Sequence, residues 1–244
     1  MRIAIALGDP NGIGPEVAIK AALASKGNVR PLLVGDAHVI EKTAERLKAL
    51  SEERDELQRK LAAAPPKVVV LDPGHGGKDN GTSANEKTYA LDVARRAKRL
   101  LEAAGHQVIL TRDSDSYLEL TQRSALAAAK GAHLFVSIHF NALPNDARTS
   151  GVEVFTFAPI LQRSTNSWGP REAGDAEREA SPANRHDHWS SVLAHAVQRR
   201  FVQDLRSFDR GKKIAHWGVL RGLNCPGVLV ECGFLSNAKE NATI

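Results

Sequence analysis

Four side chains in this sequence have both the chemistry and the setting of a reactive centre: His75, Glu86, His139 and Glu231. His75 sits in the turn Asp72-Pro73-Gly74-His75-Gly76-Gly77, directly after the apolar run Val68-Val69-Val70-Leu71. His139 closes the run Leu134-Phe135-Val136-Ser137-Ile138, and Glu231 follows Val228-Leu229-Val230. Glu86 opens a helical pattern shortly after the glycine-rich turn. Two imidazoles and one carboxylate around an open fourth position form the ligand set of a catalytic zinc ion, which acidifies a water. Residue types alone do not say which glutamate would be the ligand. Taken singly, each of the four also has an ordinary structural role. A histidine after a strand is commonly a hydrogen-bonded structural residue, Glu86 suits a helix N-terminus, and Glu231 suits an arginine partner. Cys232 adjoins Glu231 but lies in an apolar strand end with no evident base, as a small buried hydrophobe would.

Bringing these residues together requires strands that end on a common rim, as they do in open α/β sheets. Strand patterns at Lys67–Leu71, His106–Thr111, Leu134–His139, Gly151–Phe157 and Gly227–Glu231 alternate with helical patterns at Glu86–Ala104, Leu120–Lys130 and His188–Leu205. The alternation predicts a three-layer α/β/α domain with a mixed, mostly parallel sheet. The segment from Ala158 to Arg185 is polar and rich in Gly, Pro, Ser and Asn, which predicts a flap over the site or a disordered loop. Ahead of this domain lie a strand at residues 2–7, a Gly/Pro loop at Gly8–Gly14, a short helix at Pro15–Leu23 and a strand at Pro31–Gly35. A long helical pattern follows from Ala37 to about Ala63, with a charged, solvated stretch from Ser51 to Lys60. Pro65-Pro66 stops that helix and marks a boundary between a short βαβα fragment with its helix, residues 1–64, and the main domain, residues 65–244.

Composition narrows the function classes. The formal net charge of +5 favours an anionic partner, but the bases are scattered and aromatics make up only 5% of the chain. That is too few for a base-stacking platform, so nucleic acid is not implied. No apolar run approaches the length of a membrane span or an export-signal core. Two cysteines, Cys225 and Cys232, are too few for a disulfide framework.

From Lys67 to about Asn241 the sequence resembles the zinc-dependent N-acetylmuramoyl-L-alanine amidases that cleave peptidoglycan. The resemblance is carried by Val70 to Gly77, Glu86-Lys87, Leu110 to Asp113, Val136 to Ala142, Gly151-Val152-Glu153, Val219 to Arg221 and Val228 to Asn237, in the family's order. It implies that His75, Glu86 and His139 are the zinc ligands and that Glu231 is the catalytic acid/base. It further implies hydrolysis of the amide between N-acetylmuramic acid and L-alanine, with peptidoglycan or muramyl peptides as partners and a periplasmic or extracellular place of action. Arg112 and Arg123 are candidate anchors for stem-peptide carboxylates, with structural ion pairs as the alternative. Glycines 74, 76 and 77 are expected to keep the backbone clear of a bulky substrate. The family usually continues into a closing helix, so a chain ending at Ile244 is expected to be C-terminally truncated. Two alternatives to the enzyme reading are a non-enzymatic wall-binding relic and an NAD-dependent oxidoreductase.

The oxidoreductase alternative comes from the front of the chain. Residues 1–48 resemble the beginning of 4-hydroxythreonine-4-phosphate dehydrogenase, through Arg2-Ile3-Ala4-Ile5, Gly8 to Glu16 and Pro31 to Asp36. Gly12-Ile13-Gly14 lacks the third glycine of a dinucleotide fingerprint, because Val17 stands in its place. The fragment is therefore expected to be noncatalytic.

Overall fold

The computed structural model describes residues 2–6, 16–20, 30–34, 36–62, 65, 67–82, 85–165 and 179–244. The glycine-rich loop expected at Gly8–Gly14 lies outside the described residues, as does the middle of the segment expected to form a flap. The chain divides into two compact units, Met1–Pro65 and Pro66–Ile244.

In the first unit, β1 (Arg2–Ala6) pairs in parallel with β2 (Arg30–Val34), and residues 16–20 are helical. Asp36 then starts α1 (Ala37–Ala62): its carboxylate accepts a hydrogen bond from the Val39 N–H at 3.1 Å, satisfying a donor that the helix leaves free. Local pairs such as Lys48–Glu52 and Arg54–Asp55 line the exposed side of α1, as the charged stretch predicts. No helix among the described residues is long and apolar enough to cross a membrane.

The second unit is built on a six-stranded sheet. Its strands are β3 (Val68–Pro73), β4 (Gln107–Leu110), β5 (Leu134–Asn141), β6 (Val152–Phe157), β7 (Asp209–Ala215) and β8 (Gly227–Phe234), in the order β4-β3-β5-β8-β6-β7. Every pairing is parallel except that of β6 with β8, giving the mixed, mostly parallel sheet that the pattern predicts. Continuous apolar runs such as Val68 to Leu71 suit strands covered on both faces.

Alternation along these strands sorts the side chains into two layers. Val69, Leu71 and Ile138 pack against Ala90 and Ala94 of α2 (Glu86–Ala103). On the same side, Val154, Val228 and Val230 pack against Ala194 of α4 (Asp187–Leu205). Val70, Phe135, Phe155 and Leu229 point the other way, toward Ala127 of α3 (Leu120–Ala129) and Val219 and Leu220 of α5 (Gly218–Arg221). By the two-residue period, Asp72, Ser137, His139, Glu153 and Glu231 share this second face, and a one-residue slip of any strand would remove its member. After β8, Asn237 caps α6 (Ala238–Asn241) by accepting from the Lys239 and Glu240 N–H groups. The Glu240 carboxylate then accepts from Gly151 N–H and Phe234 N–H, tying this last turn to the sheet.

Four elements among the described residues depart from the sequence expectation, one of them the 3-10 turn Pro182–His186 at the end of the segment expected to be loop. β7, α5 and α6 carry no strand or helix pattern strong enough to read. β7 is an edge strand whose sequence, Asp-Arg-Gly-Lys-Lys-Ile-Ala, is mostly charged because half of it faces solvent. α5 and α6 are single turns, too short for periodicity to register. β5 and β8 also run further than expected, so His139 and Glu231 lie within strands rather than at their last residues.

Candidate metal centre

The sheet brings His139 and Glu231 side by side, because they are register partners on the parallel strands β5 and β8. His75 arrives from the turn after β3 with φ 60°, a left-handed conformation that a side chain rarely adopts. Glu86 arrives from the first turn of α2 and is buried, 1% exposed.

Three of their atoms meet in a nearly equilateral triangle. Glu86 Oε1 lies 3.0 Å from His75 Nε2 and 3.2 Å from His139 Nδ1, and the two nitrogens are 3.2 Å apart. The outward-facing nitrogens fix the tautomers. His75 Nδ1 lies 2.8 Å from Asp79 Oδ2, an acceptor, so Nδ1 carries the proton and Nε2 presents a lone pair to the centre. His139 Nε2 lies 3.1 Å from Ser137 Oγ, whose only proton goes to Asp72 Oδ2 at 2.7 Å. Nε2–H is therefore the donor, and His139 Nδ1 also presents a lone pair. Two lone pairs and a carboxylate oxygen pointed at one another repel unless a cation or an extra proton lies among them.

The triangle fits a metal. Zinc bonds of about 2.0–2.1 Å imply tetrahedral ligand separations of about 3.3 Å. The donor set of two imidazoles and a carboxylate leaves the fourth position of such an ion open. The electrostatics agree with an ionised ligand: without a cation in the triangle, burial opposes the Glu86 charge, but protons placed on His139 and His75 toward it hold its carboxyl well below the usual carboxylate range. For His75, burial likewise opposes the charged form, and Glu86 and Asp79 outweigh it to raise the pKa. The second Glu86 oxygen accepts from the N–H and hydroxyl of Thr82 at 2.6 and 2.8 Å, and Phe140 N–H donates to the first at 3.2 Å.

Glu231 is buried, and its Oε2 has no hydrogen-bond partner among the described residues. Burial, reinforced by the Glu86 and Glu153 charges, pushes its pKa well above the usual range, with Lys213 opposing. A buried carboxyl with a free oxygen beside a candidate metal position is suited to taking and giving a proton. The neighbouring Cys232 is half-buried among apolar side chains, and burial pushes its thiol up to about 12, so it remains protonated and is no rival nucleophile.

Arg112 and Arg123 stand elsewhere than an anchor for substrate would. Both are buried, and their guanidinium groups are spent on the backbone of the glycine-rich turn. Arg112 donates to the carbonyls of Pro73, Gly74, Lys87 and Ser114. Arg123 donates to the carbonyls of Pro73, His75 and Leu118 and pairs with Asp72 at 2.8 Å. Glycines in and after this turn also leave room for the metal-site side chains themselves. A Cβ on Gly74 would lie 2.4 Å from the His139 ring, and one on Gly81 (φ 75°) would lie 2.2 Å from Glu86 Oε2.

Asp79, Ser137 and Asp72, which orient the two imidazoles, and Thr82, which holds Glu86, carry no signal as single residues. The spacing of Ser137 and His139, two apart on one strand face, is the only sequence hint of their contact. Glu153 was part of a recognisable motif, but its partners Arg210 and Lys213 lie on the strand that the sequence concealed.

A family model described as N-acetylmuramoyl-L-alanine amidase matches residues 69–244. The chain is 34% identical over 182 residues to the endolysin of Bacillus phage SPP1, a match covering 73% of this chain and 58% of that protein. It is 32% identical over 176 residues to the N-acetylmuramoyl-L-alanine amidase LytC of Bacillus subtilis, covering 71% of this chain and 30% of LytC. It thus spans little more than half of the first relative and under a third of the second. Among solved structures, the catalytic domain of CwlV, an N-acetylmuramoyl-L-alanine amidase from Bacillus (Paenibacillus) polymyxa var. colistinus, is 32% identical with a TM-score of 0.58. That match covers 72% of this chain and 86% of the CwlV domain. Neither the wall-binding nor the oxidoreductase alternative is favoured by these similarities.

Proposed function

The chain belongs to the N-acetylmuramoyl-L-alanine amidase family, and from that premise we propose that it hydrolyses the amide joining N-acetylmuramic acid to L-alanine in peptidoglycan, with zinc held by His75, Glu86 and His139. The observation that carries the metal assignment is the triangle of three proton-free acceptors 3.0–3.2 Å apart. A zinc ion held by these three residues would supply an acidified water and a Lewis acid for the scissile carbonyl. Glu231, outside the ligand set, takes a proton from the attacking water on its unpartnered Oε2 and returns it to the amine of L-alanine as the carbon–nitrogen bond breaks. Asp79 and the Asp72–Ser137 pair hold the two imidazoles as neutral ligands throughout. The substrate places the site of action in the cell envelope, where the wall amidases among its relatives are named for working. Residues 65–244 form the catalytic domain in this reading, and residues 1–64 take no part in the chemistry.

Purified peptidoglycan incubated with the full chain tests this directly. New N-terminal L-alanine should appear, disappear on chelation and return with added zinc. Cleavage at a sugar or inter-peptide bond instead, or cleavage indifferent to chelation, would overturn the proposal.

A further inference from the structure

The row of acidic and basic side chains does not stop at Glu231. Glu153 on β6 is the antiparallel register partner of Glu231, and it is buried, 2% exposed. Asn141 donates to its Oε1 at 3.0 Å. Its Oε2 accepts from Arg210 Nε at 3.0 Å and also from Lys213 Nζ. One buried carboxylate is therefore held by two cations, although one suffices for neutrality. The cations remain partly open to solvent, with side chains 27% and 23% exposed. The Arg210 guanidinium lies over the Phe234 ring at 4.9 Å and Lys213 lies over Phe155 at 5.6 Å, so both are fixed in direction. Among the described residues, no acceptor engages Nη1 or Nη2 of Arg210, leaving the outer fork of the guanidinium unspent.

We propose that Arg210 and Lys213, seated on Glu153, form a subsite for a carboxylate of the stem peptide on the amine side of the cleaved bond. This rests on the amidase reading above. The row His139–Glu231–Glu153 crosses three adjacent strands, and β7 is the next one outward. With strands about 4.8 Å apart, β7 lies about 10 Å from β8, a gap that the Arg210 side chain partly closes by reaching back to Glu153. A peptide residue spans about 3.5 Å, so a carboxylate one or two residues beyond the scissile amide comes within reach of the guanidinium fork. An unspent guanidinium edge matches a carboxylate in a bidentate pair, a geometry that a sugar hydroxyl does not use as well. Arg210 and Lys213 thus take the place expected for Arg112 and Arg123, whose donors are committed to the backbone.

The test uses two muramyl peptides identical except that the side of the second residue facing this subsite carries a free carboxylate in one and its amide in the other. With the zinc-loaded full chain, KM should be about tenfold lower for the free acid, with similar kcat, as expected for one charge-assisted contact. Arg210→Gln should raise KM for the free acid about tenfold and abolish the discrimination, while Arg210→Lys restores part of it. Lys213→Gln should act in the same direction. Equal KM for the two substrates with wild type, or an equal rise for both in Arg210→Gln, would overturn the subsite. Calorimetric binding of the acid and amide forms of the released peptide separates this from the amidase reading. Discrimination in binding without turnover would support the subsite and count against the amidase assignment, whereas turnover without discrimination would do the reverse.

Discussion

His139 faces two ways: its Nδ1 turns to the candidate metal position, and its Nε2–H goes to Ser137 Oγ. Ser137 can accept that proton only because Asp72 takes its own. The chain Asp72–Ser137–His139 therefore sets which imidazole nitrogen is free to bind a metal, much as Asp79 does for His75. Removing the hydroxyl in Ser137→Ala lets either tautomer form, and zinc affinity should fall about 10–100-fold. Competition with a chromophoric chelator measures this without any substrate, and an unchanged affinity would show that the tautomer is set in some other way. Glu231 differs in kind, since no hydrogen bond engages its Oε2 among the described residues. The role proposed for it came from the family resemblance, and its candidacy was legible from its position after an apolar run. The supporting residues were not, because a serine or aspartate in a strand reads as an ordinary polar residue until its neighbour across the sheet is known.

Between elements, the most consequential tie is that of α3 to the glycine-rich turn. Arg123 of α3 reaches the carbonyls of Pro73 and His75 and forms an ion pair with Asp72, and both side chains of the pair are almost fully buried. Replacing Arg123 by Met leaves Asp72 as an uncompensated buried charge, which should cost about 3–5 kcal/mol of stability, read as a lower urea midpoint. A loss under about 1 kcal/mol would mean that Thr111 and Ser137 alone satisfy Asp72. The strands that build the floor of the site, β3, β5, β6 and β8, were plain in the sequence because burial makes them mostly apolar, with polar residues such as Ser137 and Glu153 set singly among apolar ones. β7 was hidden for the opposite reason: it is an edge, and the charged residues that blurred its pattern include the two now assigned to the stem-peptide carboxylate.

At the scale of the whole molecule, the chain divides into Met1–Pro65 and Pro66–Ile244, and the family match falls wholly within the second unit. The site residues, their supports and the proposed subsite all lie between Asp72 and Phe234. A chain shortened to residues 66–244 should therefore keep the zinc stoichiometry of the full chain and its turnover within about twofold. A loss beyond tenfold would give residues 1–65 a part in catalysis or in holding the domain together. The order of the fold was recoverable because strand and helix alternate and the motifs stand in sequence order. The family resemblance named the three members of the triangle, but its geometry was not legible, because it depends on turn geometry at His75 and on packing at Gly74 and Gly81 that no spacing encodes.

Zinc content and peptidoglycan cleavage measured together on Glu231→Gln bear most directly on the division of labour in this site. The substitution keeps size and polarity but removes the proton-accepting carboxylate. The expected result is one zinc retained per chain and a fall in cleavage of about 10²–10⁴-fold, the usual contribution of a positioned acid/base. Loss of zinc would make Glu231 a ligand, and undiminished cleavage would remove it from the chemistry; either would contradict the assignment of His75, Glu86 and His139 as the ligands and Glu231 as the acid/base.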